Sequence, residues 1–461
     1  MLPQVRDAMA EASRHFVNLD ELMEAAGRRL AELTRAEWGI VTCGSAAAVA
    51  LGTAACVAGN DPVKMLRLPF TDGMVNRVII PKAQRFAYDQ AVRMTGCEIV
   101  EVETCEDLDK ALCEPAAMVV LLGKQEHSGS LRLEQIAEMV KPRGIPIMVD
   151  AASEHLERPS PWLVRGADLV VYSGGKFLRG PQTSGLLLGS RRLVQAAWAN
   201  ASPHQALGRP MKVSKEDIVG VLTAVEHWFE DRDHTAERQK WYDDLDVIAV
   251  RVGQLPGVGS EIIEPVGVDR VPRLRITWDP QYRIDGLELR RRALDAQPRV
   301  MLDDNSAAET SIAIDPFQLG PGEAAQVGDV VARVLHAARG ARPVPSASPA
   351  LDIAGNWQLR VDFLQGSRVH RLKIEQRGAE LSGYQRSALF EGPFNGKLTG
   401  EAVRFSFRQR YEASTISYLF EGTVRDGRMG GVVALGAASD QNAGIVNSSQ
   451  FGTGCWQASR V

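Results

Sequence analysis

The sequence predicts an α/β chain built on a mostly parallel sheet, followed by a small α+β subdomain and an all-β, barrel-like C-terminal domain. Three observations carry this reading. From residue 1 to about 340, short apolar, β-branched runs alternate with longer amphipathic stretches, the pattern of βαβ units. Three prolines then gather with small residues in Ala341–Pro349, a composition that favours an extended connector. Beyond it the hydrophobic period drops to two, with turn signals between the runs.

Taken in order, Ile40–Thr42, Met118–Leu122, Ile147–Val149 and Leu169–Tyr172 are predicted as buried strands, and Leu131–Val140 and Lys215–Trp228 as helices. These fall in a large domain over residues 1–240. Residues 241–340 change character: Arg273–Trp278 and Ser311–Ile314 read as strands, Gly286–Ala296 and Glu323–Ala338 as helices. A Pro-rich linker over 341–350 separates them from residues 351–461. There, roughly eight short antiparallel strands are expected, turning at Arg377-Gly378, Asn395-Gly396 and Asp426-Gly427. The segment opens with Gly355–Trp357 and closes with Gly454–Trp456. First and last strands lying side by side would close a lipocalin-like barrel and remove its exposed edges. Trp357, Phe363, Tyr384, Phe390, Phe394, Phe405, Phe407, Tyr411 and Phe420 mostly alternate with polar residues, which reads as core in preference to the lining of a ligand cavity.

A chain of 461 residues has ample capacity for two or three such units. Its formal charge of -4 lacks the basic excess that steers proteins to nucleic acid or anionic lipid, so neither partner is expected. Six cysteines are scattered without a CxxC or Cys/His cluster, which points away from a zinc site or a disulfide framework. No metal is expected. The N-terminal residues carry no apolar signal core, and no run of about 18 apolar residues exists to span a membrane. A cytoplasmic location fits best.

The most informative stretch is Val170–Gly189, a strand ending in a glycine-rich turn that carries Lys176 between Gly174-Gly175 and Gly180-Pro181. A lysine there can be partly desolvated, which lowers its pKa and makes it a Schiff-base former and general base. The bland alternative is a lysine in an ordinary strand-end turn. Upstream, Asp150 ends another apolar run at the strand edge where α/β proteins place their sites. A pyridoxal-phosphate (PLP) cofactor needs such a carboxylate beside its pyridine nitrogen, although an aspartate there can equally be a helix N-cap. Earlier still, Gly44, Ser45 and Ala46 lead from a strand into an alanine-rich helix, whose N-terminus can bind a phosphate. Phosphate turn, carboxylate and lysine in that order are more specific together than any one alone.

These strings resemble the selenocysteine-synthase-like group of fold-type I PLP enzymes, which includes bacterial seryl-tRNA selenium transferase and D-glucosaminate-6-phosphate ammonia-lyase-type proteins. The resemblance is carried by Thr42–Ala48, Arg85–Asp89, Val149–Ser153, Ser173–Gln182 and Gly208–Val213, and spans residues 1 to about 340. It implies the aspartate-aminotransferase-like fold, with PLP held as a Schiff base by Lys176 and its pyridine nitrogen partnered by Asp150. Ala152 would lie against one ring face. Gly44, Ser45 and the amide of Ala46 would hold the phosphate, with Ser173 a further hydroxyl and Gln182 and Thr183 near a phosphate, that of an adjacent subunit included. A homodimer or larger homo-oligomer follows.

Departures matter too. Gln84 and Gln90 stand where the group has histidines, and Gln84 falls where the second ring face should be covered; an amide cannot do a histidine's acid–base work. An N-terminal arm is expected to be short or missing, the tRNA-binding domain of the selenium transferases to be absent, and the barrel to be an addition. Among arginines, whose planar fork suits carboxylate or phosphate, Arg85 and Arg209 lead as substrate-binding candidates, ahead of Arg179, Arg275 and Arg299. His127 and His204 are candidate general acids set against ordinary solvated loop histidines, and Cys43 against a small buried thiol.

The implied function is PLP-dependent chemistry at the α-carbon of an amino acid or amino sugar acid, with α,β-elimination and ammonia release as the leading outcome. Racemisation and β-replacement of the selenium-transferase kind share the same carbanion chemistry, and a non-enzymatic scaffold is the alternative of another class.

Overall fold

The computed structural model describes residues 1–268, 270–303, 306–340, 351–437 and 451–461. The connector read at 341–350 lies outside the described residues. The chain divides into two compact units, Met1–His234 with Val266–Arg270, and Thr235–Pro265 with Val271–Val461.

In the first unit, β1 (Trp38–Thr42), β2 (Arg77–Pro81), β3 (Glu98–Val102), β4 (Met118–Leu122), β5 (Ile147–Asp150), β6 (Leu169–Ser173) and β7 (Gly185–Gly189) form one sheet in the order β1-β7-β6-β5-β4-β2-β3. β7 runs antiparallel to both its neighbours, and every other pairing is parallel. β1, β4, β5 and β7 are buried along their whole length, as continuous Val/Ile/Leu-rich runs require when both faces of a sheet are covered. The alanine-rich helix Ser45–Ala58 packs close: a Cβ on Gly52 would lie 2.7 Å from Met148 Sδ. Because β1, β4, β5 and β6 all run the same way, Thr42, Leu122, Asp150 and Ser173 finish along one sheet edge. Strand C-termini at such an edge form the usual crevice for a ligand.

The second unit contains two separate cores. Around one, β8 (Val258–Ile263), β9 (Arg273–Trp278) and β10 (Ser311–Ile314) form an antiparallel sheet in the order β10-β9-β8, with the helices Gly286–Asp295 and Glu323–Ala338 supplying Leu289, Val330 and Val331. The other is a closed antiparallel barrel of β11 (Gly355–Asp362), β12 (Ser367–Arg377), β13 (Glu380–Arg386), β14 (Glu391–Thr399), β15 (Ala402–Tyr411), β16 (Ser414–Arg425), β17 (Arg428–Ala437) and β18 (Thr453–Arg460). β11 pairs with β18 from Trp357↔Arg460 to Asp362↔Cys455, so first and last strands do close the barrel.

Two expectations for this region are corrected. Asp426-Gly427 turns the chain with positive φ at both residues, as a two-residue hairpin needs, but Asn395-Gly396 lies inside β14, paired with Ser382 and Leu381. Gly396 serves close approach: a Cβ there would meet the Arg404 carbonyl oxygen at 2.3 Å. The reversal comes later, at Gly400. Of the aromatic set, Trp357, Phe394, Phe405, Phe407 and Phe420 are core, whereas Tyr384 and Tyr411 are 46% and 67% exposed. Tyr384 falls out of phase with its inward neighbour Gln385, and Tyr411 ends its strand.

Candidate active site

The phosphate turn follows directly from β1. Gly44 adopts φ +116°, a conformation favouring glycine, and leads into the helix at Ser45. The first helical bond runs from the Ala48 N–H to the Gly44 carbonyl at 3.1 Å, so the N–H groups of Ser45, Ala46 and Ala47 precede the helix's own bonding. Ser45 is half-buried and Ala46 exposed, and space opens beside Gly44, where an added Cβ would touch nothing within 4 Å. Such an N-terminus receives an anion. Across the sheet, Thr42 pairs with Gly185 and Gly185 with Ser173, which sets the turn beside the end of β6. Gly185 has no room for a side chain: a Cβ would lie 2.5 Å from Gly44 C and Ser45 N.

One strand further on, Asp150 pairs with Val171, and its buried carboxylate accepts the Ala152 N–H through Oδ1 at 2.9 Å. Burial pushes its pKa up, opposed by that hydrogen bond and by the charges of Lys176 and Lys124. Lys176 lies in the turn after β6. The turn is fixed by the Gly174 N–H donating to Ser184 O, the Gly180 N–H to Gly174 O and the Arg179 N–H to Lys176 O, all at 2.8–2.9 Å. Gly174 must be glycine because a Cβ would fall 2.0 Å from Ser184 Oγ. Desolvation lowers the Lys176 amine below the ordinary lysine range; Asp150 opposes this and Lys124 adds to it.

Gln84 is fully buried. Its Oε1 accepts the Leu122 N–H at 3.0 Å, and Leu122 pairs with Asp150 in the sheet, so the side chain stands one strand from the carboxylate. Its Nε2 has no hydrogen-bond partner. Ala152 and Ser173 are half-buried beside these groups in sequence, and Gln182 packs against Gly175, while Thr183 is exposed on the approach to β7. The arginines differ. Arg85 is held by Asp89 at 2.5 Å and by Glu101, an ion-pair network; Arg209 donates to Ser202 Oγ at 3.2 Å. Arg179 takes a left-handed φ of 55°. Arg275 is paired with Glu261 at 2.7 Å in the second unit, where Arg299 is exposed. His204 bonds the Trp198 and Ala201 carbonyls and Asp20, His127 is exposed on the turn after β4, and burial raises the Cys43 thiol.

Three residues escaped sequence reasoning. Lys124, just past β4, acts electrostatically on both Asp150 and Lys176, is exposed, and has no ion-pair partner among the described residues. Its place two residues after a buried strand was a usable signal. Glu154 accepts the Trp162 indole N–H at 2.8 Å and is pushed up to about 7 by burial, with Asp150, Glu126 and Glu157 adding repulsion. His155 meets Phe177, the neighbour of Lys176, edge-on; no spacing rule announces that contact.

The donor set fits PLP. A helix N-terminus offers N–H groups to a phosphate, an amine of lowered proton affinity can meet an aldehyde, and a buried carboxylate is stabilised by a cation such as a protonated pyridine nitrogen. Comparison agrees. Residues 21–216 match the Aminotransferase class-V family. The chain is 31% identical over 333 residues to 5'-C-glycyluridine monooxygenase-decarboxylase from Streptomyces sp, covering 68% of this chain and 80% of that protein. It is 28% identical over 332 residues to D-glucosaminate-6-phosphate ammonia lyase from Salmonella typhimurium, covering 69% and 84%. The L-seryl-tRNA(Sec) selenium transferase of Mannheimia succiniciproducens is 28% identical over 173 residues, only 36% of its length. The solved structure of a D-glucosaminate-6-phosphate ammonia-lyase superposes with a TM-score of 0.65 at 25% identity, covering 73% of this chain and 92% of that one.

Proposed function

Because this chain belongs to the selenocysteine-synthase-like family of fold-type I PLP-dependent enzymes, related to class-V aminotransferases, we propose that it is a lyase releasing ammonia by α,β-elimination from an acidic amino acid or amino sugar acid. The observation that carries the proposal is the juxtaposition of Lys176 and Asp150: an amine of depressed proton affinity coupled to a buried carboxylate at the ends of adjacent parallel strands.

PLP, when bound, supplies an electron-accepting ring that delocalises the charge left by removal of the α-proton. The protein does the rest. Gly44, Ser45 and Ala46 would hold the phosphate, with Ser173, Gln182 and Thr183 as further polar groups for it. Asp150 would stabilise positive charge on the pyridine nitrogen, and Ala152 and Gln84 would help to enclose the cofactor. Lys176 Nζ would be the group to which the cofactor attaches, and its unprotonated amine would be the base for the α-proton. Lys124 receives the substrate's acid group, a role that suits it better than Arg85, whose guanidinium is already committed to Asp89 and Glu101; Arg209 is the second cation available. We take the enzyme to be a cytoplasmic homodimer or larger homo-oligomer, organised as a large domain over 1–240, a subdomain over 241–340, a linker and a barrel over 351–461. No described helix is long and apolar enough to cross a membrane.

The test is absorbance followed by a substrate screen. Purified protein should turn yellow with PLP, bleach with borohydride, and do neither as Lys176→Ala. Failure to take up PLP sinks the reading at the cofactor. Ammonia release from one of a panel of D- and L-amino acids and amino sugar acids supports the lyase; oxygen uptake with loss of carbon dioxide, and no ammonia, would replace it with oxidative decarboxylation.

A further inference from the structure

The chain leaves β4 through a short 3-10 helix, Gly123–Ser128. With three residues per turn, side chains at i and i+3 stand on the same face. One face carries Gly123 and Glu126, both buried, and the next carries Lys124 and His127, both exposed. The position of Lys124 is therefore set by what grips the buried face.

That face is clasped at both positions. At Gly123, Glu154 and Trp162 pack so closely that an added Cβ would clash with Glu154 Oε1 and fall 2.9 Å from the Trp162 ring. The Trp162 indole N–H donates to Glu154 Oε2 at 2.8 Å, which fixes the two side chains against each other. At Glu126, the Arg165 guanidinium holds both carboxylate oxygens, at 2.5 and 3.0 Å, and Oε1 also accepts the Leu133 N–H at 3.0 Å. A bidentate guanidinium–carboxylate pair fixes geometry as well as charge. The two grips are joined, because the Arg165 guanidinium lies 4.9 Å from the centre of the Trp162 ring. Arg132 adds a third hold, its Nη1 donating to the carbonyls of Glu126 and Gly129 at 2.9 and 2.6 Å.

We propose that Gly123, Glu126, Trp162 and Arg165 are positioning residues, whose clasp on the turn after β4 holds Lys124 where its charge bears on Lys176 and Asp150. The inference rests on the reading of Lys176 and Asp150 as the cofactor site, and adds what fixes the third charge beside them. A long exposed lysine on a loose loop would be swung away and screened by solvent. Lys124 instead projects from a turn that cannot shift without breaking the Glu126–Arg165 pair or the packing on Gly123, and its charge acts on both groups. A clasp that served stability alone would leave Lys176 indifferent to its loss.

The test follows, as a function of pH, the yellow form that PLP gives with the full-length protein, in the parent, Gly123→Ala, Lys124→Ala and the double variant. Gly123→Ala alters no charge, yet it should move the midpoint up by about half a pH unit, the direction in which removing Lys124 moves it, because the Lys124 ammonium disfavours protonated Lys176. In the double variant the shift should equal that of Lys124→Ala alone, since two changes acting through one side chain do not add. Glu126→Gln, which gives up the charged pair, covers the case in which Gly123→Ala does not fold. Loss of a negative charge would by itself lower the midpoint, so an upward shift there reports displacement of Lys124. A midpoint unmoved by Lys124→Ala, unmoved in the folded clasp variants, or moved additively in the double variant would overturn the inference while leaving the cofactor reading in place. A parent that never turns yellow would overturn both.

Discussion

The ring of His155 stands edge-on to that of Phe177, with centroids 4.1 Å apart and planes at 71°. His155 follows Asp150 by one short loop and Phe177 is the next residue after Lys176, so this contact ties the loop bearing the carboxylate to the turn bearing the amine. An edge-to-face pair contributes about 0.5–1.5 kcal/mol beyond the area it buries. Phe177→Ala should therefore still yield the yellow, borohydride-sensitive form but hold PLP roughly tenfold more weakly, a loss of about 1.4 kcal/mol. Absorbance titration of the apoprotein measures this; unchanged affinity would mean that strand register alone fixes the two groups.

Gly185 is a second place where one atom decides cofactor binding. A methyl group there would sit 2.5 Å from Gly44 C and Ser45 N, both backbone atoms that cannot swing aside as a flexible side chain would. Gly185→Ala should displace the phosphate turn and weaken PLP at least about tenfold. Because the carboxylate and the lysine are untouched, free pyridoxal, which lacks the phosphate, should bind the variant and the parent equally. A uniform loss for both ligands would show that the substitution disturbs more than the turn.

The parts of this site that were legible in the sequence are those imposed by backbone geometry. Apolar β-branched runs that stop near a glycine or an acid predict β1, β5 and β6, and the candidates Gly44, Asp150 and Lys176 lie at or just past the ends of these strands. Contacts made by freely rotating side chains were not legible. Arg85 stood in a motif stretch, yet only the structure shows it committed to Asp89 and Glu101. Lys124 follows Gly123 at the end of a buried run, but its effect on Asp150 appears only once β4 and β5 are known to be neighbours. In the barrel, Asn395-Gly396 has the composition of a turn, but pairing with β13 and the approach of β15 override local preference.

Lys124→Ala tests that effect. Its positive charge disfavours the protonated form of Lys176, so removing it should raise the Lys176 pKa. Since PLP capture needs the neutral amine, the pH midpoint for forming the yellow species in the apoprotein should move up. For an acidic substrate, loss of the anion partner should raise KM about tenfold with a smaller change in kcat. Lys124 is exposed, so thermal stability should hardly change. A raised KM with an unmoved pH midpoint would place Lys124 at the substrate but away from Lys176.

Glu154 makes stability itself depend on pH. Burial lifts its pKa from 4.5 to about 7 in the folded chain, and the Trp162 indole N–H opposes the lift only in part. Between those two values the folded state keeps a proton that the unfolded chain has released, so stability falls as pH rises through this window and levels off above it. The span corresponds to about 3 kcal/mol at most. Glu154→Gln can still accept the indole N–H but cannot ionise. It should match the parent near pH 4.5 and be more stable at pH 8, by a urea midpoint that no longer falls across the window. A parent protein whose midpoint is flat between pH 4.5 and 7, or a glutamine variant that loses stability at pH 8, would show that the carboxyl is already ionised in the fold.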